Sequence, residues 1–545
     1  MQRFLSIAFT ISFFLSVQAQ PSAVPGDNLQ RPKLVVGIVV DQMRWDFLYR
    51  YYDRYAADGG FKRMLNMGFS CENTLIPYAP TVTAPGHASI YTGSVPAIHG
   101  IAGNYWWDNT EQREVYCTED KTVQSVGTTA ATGLQSPRNM KTTTICDELR
   151  LATNFKSKVV GVAIKDRGGI LTAGHSANAA YWYESGTGNW ITSSYYMKEL
   201  PKWANDFNAK KLVDKYYTKG WNTLYPIASY TQSTEDIKPY EHKGIGESFP
   251  YDLNRFVGKN YSIISSTPYG NTFTLDMAKA AMEGEGLGAD AITDFLAVSL
   301  SAPDYIGHGF GPNSIEQEDD FLRLDQDLGE FLSYLDSKVG PGQYTVFLSA
   351  DHGVAHVPAF MKENKLPAGN FNEGAILEQL NQQLKDKFGK GDLAILISNY
   401  QLSLNNKLIN ESKIKRDEVI KLVIEFLSNL DGVARAFEIS KMMETPLPSK
   451  IKDMLVNGYY PQRGGDIQLI LQPGWIEGFL TSGTTHGLWN PYDAHIPLIW
   501  YGWGINKGKT NRETYMTDIA PTLAALLKIQ MPSGSIGKVI TEVIK

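Results

Sequence analysis

Residues 344–353 read Tyr-Thr-Val-Phe-Leu-Ser-Ala-Asp-His-Gly, an apolar, β-branched run that stops at an acid, Asp351, with His352 beside it. A run this short reads as a strand rather than a buried helix, and its lack of alternation marks a strand covered on both faces. The pattern occurs twice more: valine-rich Leu34 to Val40 delivers Asp41, and Phe295 to Leu300 precedes Asp304. Three such runs ending in acids are what an open parallel sheet produces, because its sites lie beyond the carboxyl ends of the strands. The expected fold class is therefore α/β, with a central, mostly parallel sheet flanked by helices.

Between the second and third runs, Phe321, Leu324, Leu328, Phe331, Leu332 and Leu335 recur mostly at three- and four-residue steps, which puts them on one face of a helix. Ser314 with Gln317 can form its capping box. Strand, Asp304, helix, strand and Asp351 then make a right-handed crossover that brings two distant acids to one sheet edge. Farther on, Ile496 to Trp500 is another apolar run, and Asp518 to Ile529 reads as a helix with Pro521 tolerated in its first turn. The stretches near 190–275, rich in Tyr, Trp, Asn and Ser, and near 360–475, of polar helix-like pieces and turns, read as insertions around the site.

The N-terminus is read separately. Met1-Gln2-Arg3 is a short basic start, Phe4 to Val17 is nearly all apolar or small, and Val17-Gln18-Ala19 offers small residues where a signal peptidase reads. Residues 1–19 are expected to be a cleaved signal peptide and 20–545 a single exported catalytic domain. A retained anchor is the alternative, but the apolar run is shorter than the roughly 20 residues that span a bilayer. With 51 basic against 57 acidic residues and a net charge of -6, the chain has no electrostatic footprint for nucleic acid. A phosphate substrate would need local positive charge from metal ions or a few placed cations. The three cysteines, Cys71, Cys117 and Cys146, are too few for a disulfide scaffold and lack metal-ligand spacing. One bridge and one buried thiol are expected. No amphipathic seam stands out, so a monomer is expected.

Asp304 and His308 are four residues apart, so one helical turn points carboxylate and imidazole the same way. Asp351 and His352 are adjacent past a strand, Asp41 adds a third strand-end carboxylate, and His486 in Thr484-Thr485-His486-Gly487 reads as exposed loop. Carboxylates mixed with imidazoles suit Zn²⁺. Taken singly, each acid is as readily a cap and each histidine as readily structural; the combination is what points to a metal centre. His99, His175, His242, His356 and His495 read as non-ligands. Thr81-Val82-Thr83-Ala84-Pro85-Gly86-His87 reads as a sharp turn that can hold a hydroxyl on a fixed backbone, with His87 fixing the turn by hydrogen bonding.

As an ordered set, Asp41, Thr83 in Thr-Ala-Pro-Gly-His, Asp304-x-x-x-His308, Asp351-His352-Gly353 and His486 resemble the alkaline phosphatase superfamily. Gly103-Asn104-Tyr105 and Lys165-Asp166-Arg167-Gly168 are similar to the periplasmic, phosphate-irrepressible alkaline phosphatases of flavobacterial type, whose core resembles nucleotide pyrophosphatase/phosphodiesterases. The resemblance, which runs from about residue 32 to the C-terminus, implies two Zn²⁺ per chain. Asp304, His308 and His486 would hold one, and Asp41, Asp351, His352 and the Thr83 alkoxide the other. It also implies that Thr83, rather than Thr81, is the nucleophile and that Asn104, Lys165 and Arg167 bind the phosphoryl oxygens.

On that reading, small phosphate monoesters of broad range are hydrolysed through a phosphothreonine, the two ions holding the attacking and leaving oxygens. Lys165 and Arg167 alternate, which in an extended segment places both on one face, matched to the extra negative charge of a monoester. The nearest rival is a phosphodiesterase or nucleotide pyrophosphatase with the same metals. A remoter one is a non-catalytic exported binding protein, although structural zinc sites are normally closed by four protein ligands.

Overall fold

The computed structural model describes residues 30–241, 244–478 and 482–545; the expected signal peptide and His242 lie outside them. Its organising feature is a ten-stranded sheet. In chain order the strands are β1 (Leu34–Val40), β2 (Phe69–Cys71), β3 (Ser125–Val126), β4 (Val159–Ala163), β5 (Ala179–Glu184), β6 (Asn189–Ser193), β7 (Asp294–Leu300), β8 (Tyr344–Ser349), β9 (Leu498–Gly502) and β10 (Gly508–Thr510). In space they run β10-β2-β9-β8-β1-β7-β4-β5-β6-β3.

The middle of this sheet, β8-β1-β7-β4-β5, is parallel throughout, and β9 and β6 pair antiparallel to it on either side. Every residue of β1, β7 and β8 is buried, which is why these strands read as mostly apolar runs rather than alternating ones. Each Val, Leu, Ile or Phe side chain contributes roughly 1.5–3 kcal/mol by leaving water. The register aligns Val40 with Leu300 and Val39 with Ser349, so the three strands end level and their acids emerge together.

Five helices matter for the site: α1 (Thr83–Thr92), α2 (Asp166–Ala173), α3 (Ala302–Phe310), α4 (Ile315–Lys338) and α5 (Ile519–Leu527). On α4 the expected apolar stripe is buried, from Phe321 to Leu335. Its cap is half of the box expected: Ser314 Oγ accepts from Gln317 N at 3.1 Å, while the Gln317 side chain turns to the Pro303 carbonyl at 3.4 Å. A short 3₁₀ turn, Met516–Asp518, precedes α5, so Pro521 does fall in the first α-helical turn.

Residues 394–471 contribute a separate four-stranded sheet with its own apolar core, built on Leu380, Leu402, Val423 and Leu469. The stretch beginning near 190 is not wholly outside the central sheet, because β6 is one of its strands. The expected disulfide is absent. Cys71, Cys117 and Cys146 are all free and buried, Cys117 in a different apolar cluster from the other two, and no bridge forms; burial pushes the Cys71 and Cys117 pKa values up to about 12. No helix among the described residues is long and apolar enough to cross a membrane.

Candidate active site

Four neighbouring parallel strands deliver the site. Asp41 follows β1, Asp351 and His352 follow β8, Asp304 sits in the first turn of α3 after β7, and Lys165 lies between β4 and α2. One turn of α3 brings His308 Nε2 to 3.2 Å from Asp304 Oδ1, as the four-residue spacing requires. His486 arrives from a loop, but it is only 8% exposed, which corrects the expectation of an exposed position. It packs face to face on His352, with ring centroids 3.5 Å apart.

The three imidazoles share one arrangement. His308 Nδ1 is 2.8 Å from the Thr484 carbonyl, His352 Nδ1 2.9 Å from that of Gly353, and His486 Nδ1 2.8 Å from that of Thr81. A carbonyl can only accept, so in each ring Nδ1 carries a hydrogen and Nε2 is the nitrogen turned toward the carboxylates, the orientation a metal-ligating histidine needs. Burial holds the His352 and His486 pKa values below the ordinary one, favouring the neutral imidazoles. Burial opposes protonation of His308 as well, but Asp304 outweighs it and raises its pKa.

Donor atoms of Asp41, Asp351 and His352 lie within 4.8 Å of one another, as do those of Asp304, His352 and His486. His352 therefore belongs to both clusters, and His308 stands at the rim, in contact with Asp304. Both oxygens of Asp41 and Oδ2 of Asp351 are buried without a hydrogen-bond partner. Burial, with Asp304 and Asp351 nearby, pushes the Asp41 pKa well above the carboxylate range. Orphaned carboxylate oxygens beside bare imidazole nitrogens fit a two-metal centre.

Thr83 is not in a sharp turn; it is the first residue of α1, buried along its whole length. Pro85 is accommodated because the first helical turn leaves its backbone N–H groups without intrahelical partners, and those N–H groups favour an anion at this end. Thr83 Oγ1 lies 3.4 Å from His352 Nε2 and 3.5 Å from Lys165 Nζ. His87 fixes this end as expected, through Nδ1 to the Thr83 carbonyl at 2.8 Å and Nε2 to Ser299 Oγ at 2.7 Å. Asn104 Oδ1 accepts from Ala84 N at 2.9 Å, which leaves its Nδ2 to donate elsewhere.

Lys165 and Arg167 do not alternate along an extended segment. Lys165 caps α2 in an extended conformation and Arg167 lies in its first turn, because the chain turns into the crossover helix directly after β4. Lys165 Nζ is 2.7 Å from Asp41 Oδ2, without hydrogen-bond alignment, and 2.6 Å from Asp304 Oδ2. Arg167 Nη1 donates to Tyr116 OH at 3.1 Å, and that hydroxyl donates to Asp166 at 2.5 Å.

Gln42 carries no pattern beyond following Asp41, yet it ties the clusters together: its backbone N–H donates to Asp351 Oδ1 at 3.1 Å and its Nε2 to Asp304 Oδ1 at 2.8 Å. Of the histidines read as non-ligands, His99, His175, His356 and His495 all stand outside both donor clusters. His356 bonds Arg44 and Asn313 instead.

A family model described as type I phosphodiesterase / nucleotide pyrophosphatase matches residues 35–487. A Myroides odoratus protein named calcium-transporting ATPase is 55% identical, over 96% of this chain and 97% of its own. Alkaline phosphatase PafA of Elizabethkingia meningoseptica is 51% identical, over 100% of this chain and 99% of its own. The crystal structure of wild-type alkaline phosphatase PafA matches with a TM-score of 0.92 and 52% identity, covering 94% of this chain and 99% of that one.

Proposed function

The chain belongs to the type I phosphodiesterase / nucleotide pyrophosphatase family, beside its PafA-type alkaline phosphatases, and from that premise we propose that Thr83 is the nucleophile of a phosphomonoesterase whose phosphoryl group is held by Asn104, Lys165 and Arg167. It hydrolyses phosphate monoesters to an alcohol and inorganic phosphate. The observation that carries the assignment of residues is the shared orientation of His308, His352 and His486, whose Nε2 atoms converge with three buried carboxylates beside Thr83 Oγ1. An ATPase, as the Myroides relative is named, also releases inorganic phosphate, so that name agrees with the same chemistry.

We assign Asp304, His308 and His486 to one Zn²⁺ and Asp41, Asp351 and His352, with Thr83 Oγ1, to the other. When bound, zinc supplies positive charge and lowers the pKa of a coordinated hydroxyl. The chain's own groups do the rest. Thr83 Oγ1 attacks phosphorus, forming a phosphothreonine as the alcohol leaves, and water then releases phosphate from Thr83. The α1 N-terminus and the Lys165 ammonium favour an oxyanion there. The free Nδ2 of Asn104 donates to one phosphoryl oxygen. Lys165 and Arg167 match the second negative charge that a monoester has and a diester lacks. The basic start and apolar run of residues 1–17 support export to the periplasm, where the enzyme would act as a monomer on a broad range of small monoesters.

The test is kcat/KM of the zinc-loaded enzyme for an aryl phosphate and a matched aryl methyl diester, with and without Lys165→Ala plus Arg167→Ala. Two charge-assisted contacts are worth about 10²–10⁴-fold, so monoester turnover is expected to fall by that factor and diester turnover by under about tenfold. Equal losses on both substrates would overturn the roles of the two cations, and a diester preference in the wild type would overturn the monoesterase reading.

A further inference from the structure

Strands Ala394–Ser398 and Gln401–Leu404 form a hairpin in which Ser398 pairs with Gln401, leaving Asn399 and Tyr400 as a two-residue turn. Both turn residues are left-handed, with φ of 54° and 59°. Such a turn needs positive φ at both positions and favours Asn followed by Gly. Asn399 obeys the rule and Tyr400 breaks it. A bulky residue persists in this conformation only where its surroundings over-determine it, and such positions cluster at functional sites.

The surroundings of Tyr400 are specific. It is 4% exposed, its carbonyl accepts from Leu469 N at 2.9 Å and Gln468 Nε2 at 3.0 Å, and its hydroxyl donates to the His486 carbonyl at 3.4 Å. Gly487 lies so close that a Cβ there would come within 2.8 Å of the Tyr400 ring. On the other side Asn399 Nδ2 donates to the Tyr105 carbonyl at 2.8 Å. It also crowds Gly103, where a Cβ would stand 2.5 Å from that nitrogen. Gly103 and Tyr105 flank Asn104. Two consecutive turn residues thus touch both segments, 103–105 and 486–487, that carry functional side chains from distant parts of the chain.

We propose that the Asn399-Tyr400 turn is a positioning element of the active site, setting where the Asn104 amide stands relative to the His486 imidazole. Neither residue touches the reacting atoms; Asn399 acts through the Asn104 segment and Tyr400 through the His486 segment. The glycine that would relax the turn would give up the ring that packs on Gly487 and the hydroxyl that bonds the His486 carbonyl, which accounts for a tyrosine at an unfavourable φ. The inference rests on the roles of Asn104 and His486 given above.

The test uses Asn399→Gly, which keeps the left-handed turn and removes the amide donor, and Tyr400→Phe, which keeps the ring and removes the hydroxyl. Asn399→Gly is expected to lower kcat/KM for an aryl phosphate about fivefold, what one net hydrogen bond supplies, and to weaken inhibition by inorganic phosphate equally. In an Asn104→Ala background it is expected to have no further effect, since residues acting through one another are not additive. Tyr400→Phe is expected to speed zinc loss to a chelator about fivefold at unchanged melting temperature. An Asn399→Gly loss that is as large without Asn104 as with it overturns the positioning role of Asn399, and wild-type zinc release from Tyr400→Phe overturns that of Tyr400. Wild-type turnover by Asn104→Ala alone would instead overturn the role of Asn104 itself.

Discussion

Lys165 Nζ stands between two carboxylates of different expected ligand sets, 2.7 Å from Asp41 Oδ2 and 2.6 Å from Asp304 Oδ2. Burial opposes the charge on Lys165, but Asp304 and Asp41 more than offset it and hold its pKa above the ordinary lysine value. The cation assigned to a phosphoryl oxygen thus also counters acids buried at the floor of the site. In chelator-treated protein, Lys165→Met is expected to lower stability by about 3–5 kcal/mol, the cost of leaving buried charge unpaired. Zinc should recover most of that difference, because the ions neutralise the same acids. Urea denaturation of both proteins with chelator and with zinc measures it; a loss indifferent to zinc would show that Lys165 stabilises by packing rather than by charge.

Thr83→Ala removes the only atom assigned to attack phosphorus while leaving in place the N-terminus of α1 and the three residues proposed to bind the phosphoryl group. Turnover is expected to fall by about 10³-fold or more, with inorganic phosphate still inhibiting residual activity. Thr83→Ser, which keeps the hydroxyl, is expected to stay active and to yield a phosphorylated chain on acid quenching, detected by mass spectrometry. Phosphorylation of the Thr83→Ala chain to the wild-type level would assign the nucleophile elsewhere.

The acids were legible because β1, β7 and β8 are covered on both faces, which makes their sequences continuous apolar runs with a visible end, and Asp304 and His308 because one helical turn has a fixed spacing. What misled was local chemistry with two structural uses. Pro85 and Gly86 signal a turn, yet Pro also fits a first helical turn, and α1 starts there. Lys165 and Arg167 alternate in sequence, but a helix begins between them. Thr484-Thr485-His486-Gly487 is polar and small, yet Tyr400, from a hairpin 86 residues away, covers it. The pairing of cysteines depends on distances that no spacing encodes. Gln42 has no signal at all, since its role consists of two contacts, 262 and 309 residues along the chain.

Those two contacts make Gln42 a test of how far the ligand clusters depend on support. With φ at 66° and both donors used on carboxylates of the two proposed ligand sets, it orients Asp304 and Asp351 at once. Gln42→Met retains length and the backbone N–H bond to Asp351 but gives up the donor to Asp304. Zinc affinity is expected to fall about 10–100-fold, the usual effect of losing an outer-shell partner, with a matching rise in the zinc needed for half-maximal activity. Competition with a chromophoric chelator reads the affinity directly; an unchanged value would confine Gln42 to folding.

Away from the site, Glu316 on α4 gives a pH dependence with a definite sign. Its Oε1 accepts from Tyr251 OH at 2.5 Å, while Oε2 is buried without a partner. Burial raises its pKa from 4.5 to about 7. Between those values the folded chain holds a proton that the unfolded chain has lost, so the contribution to stability is fully present below pH 4.5 and is lost as pH rises through 7. Glu316→Gln keeps an acceptor for Tyr251 and cannot ionise. At pH 8 the variant is expected to be more stable than the wild type by about 1–3 kcal/mol, and at pH 5 the advantage should vanish or reverse, since the extra amide hydrogens then bring no compensating gain. Urea denaturation at both pH values decides it: a difference independent of pH would mean that Glu316 is charged in the folded chain throughout, and that α4 and Tyr251 solvate it better than its burial implies.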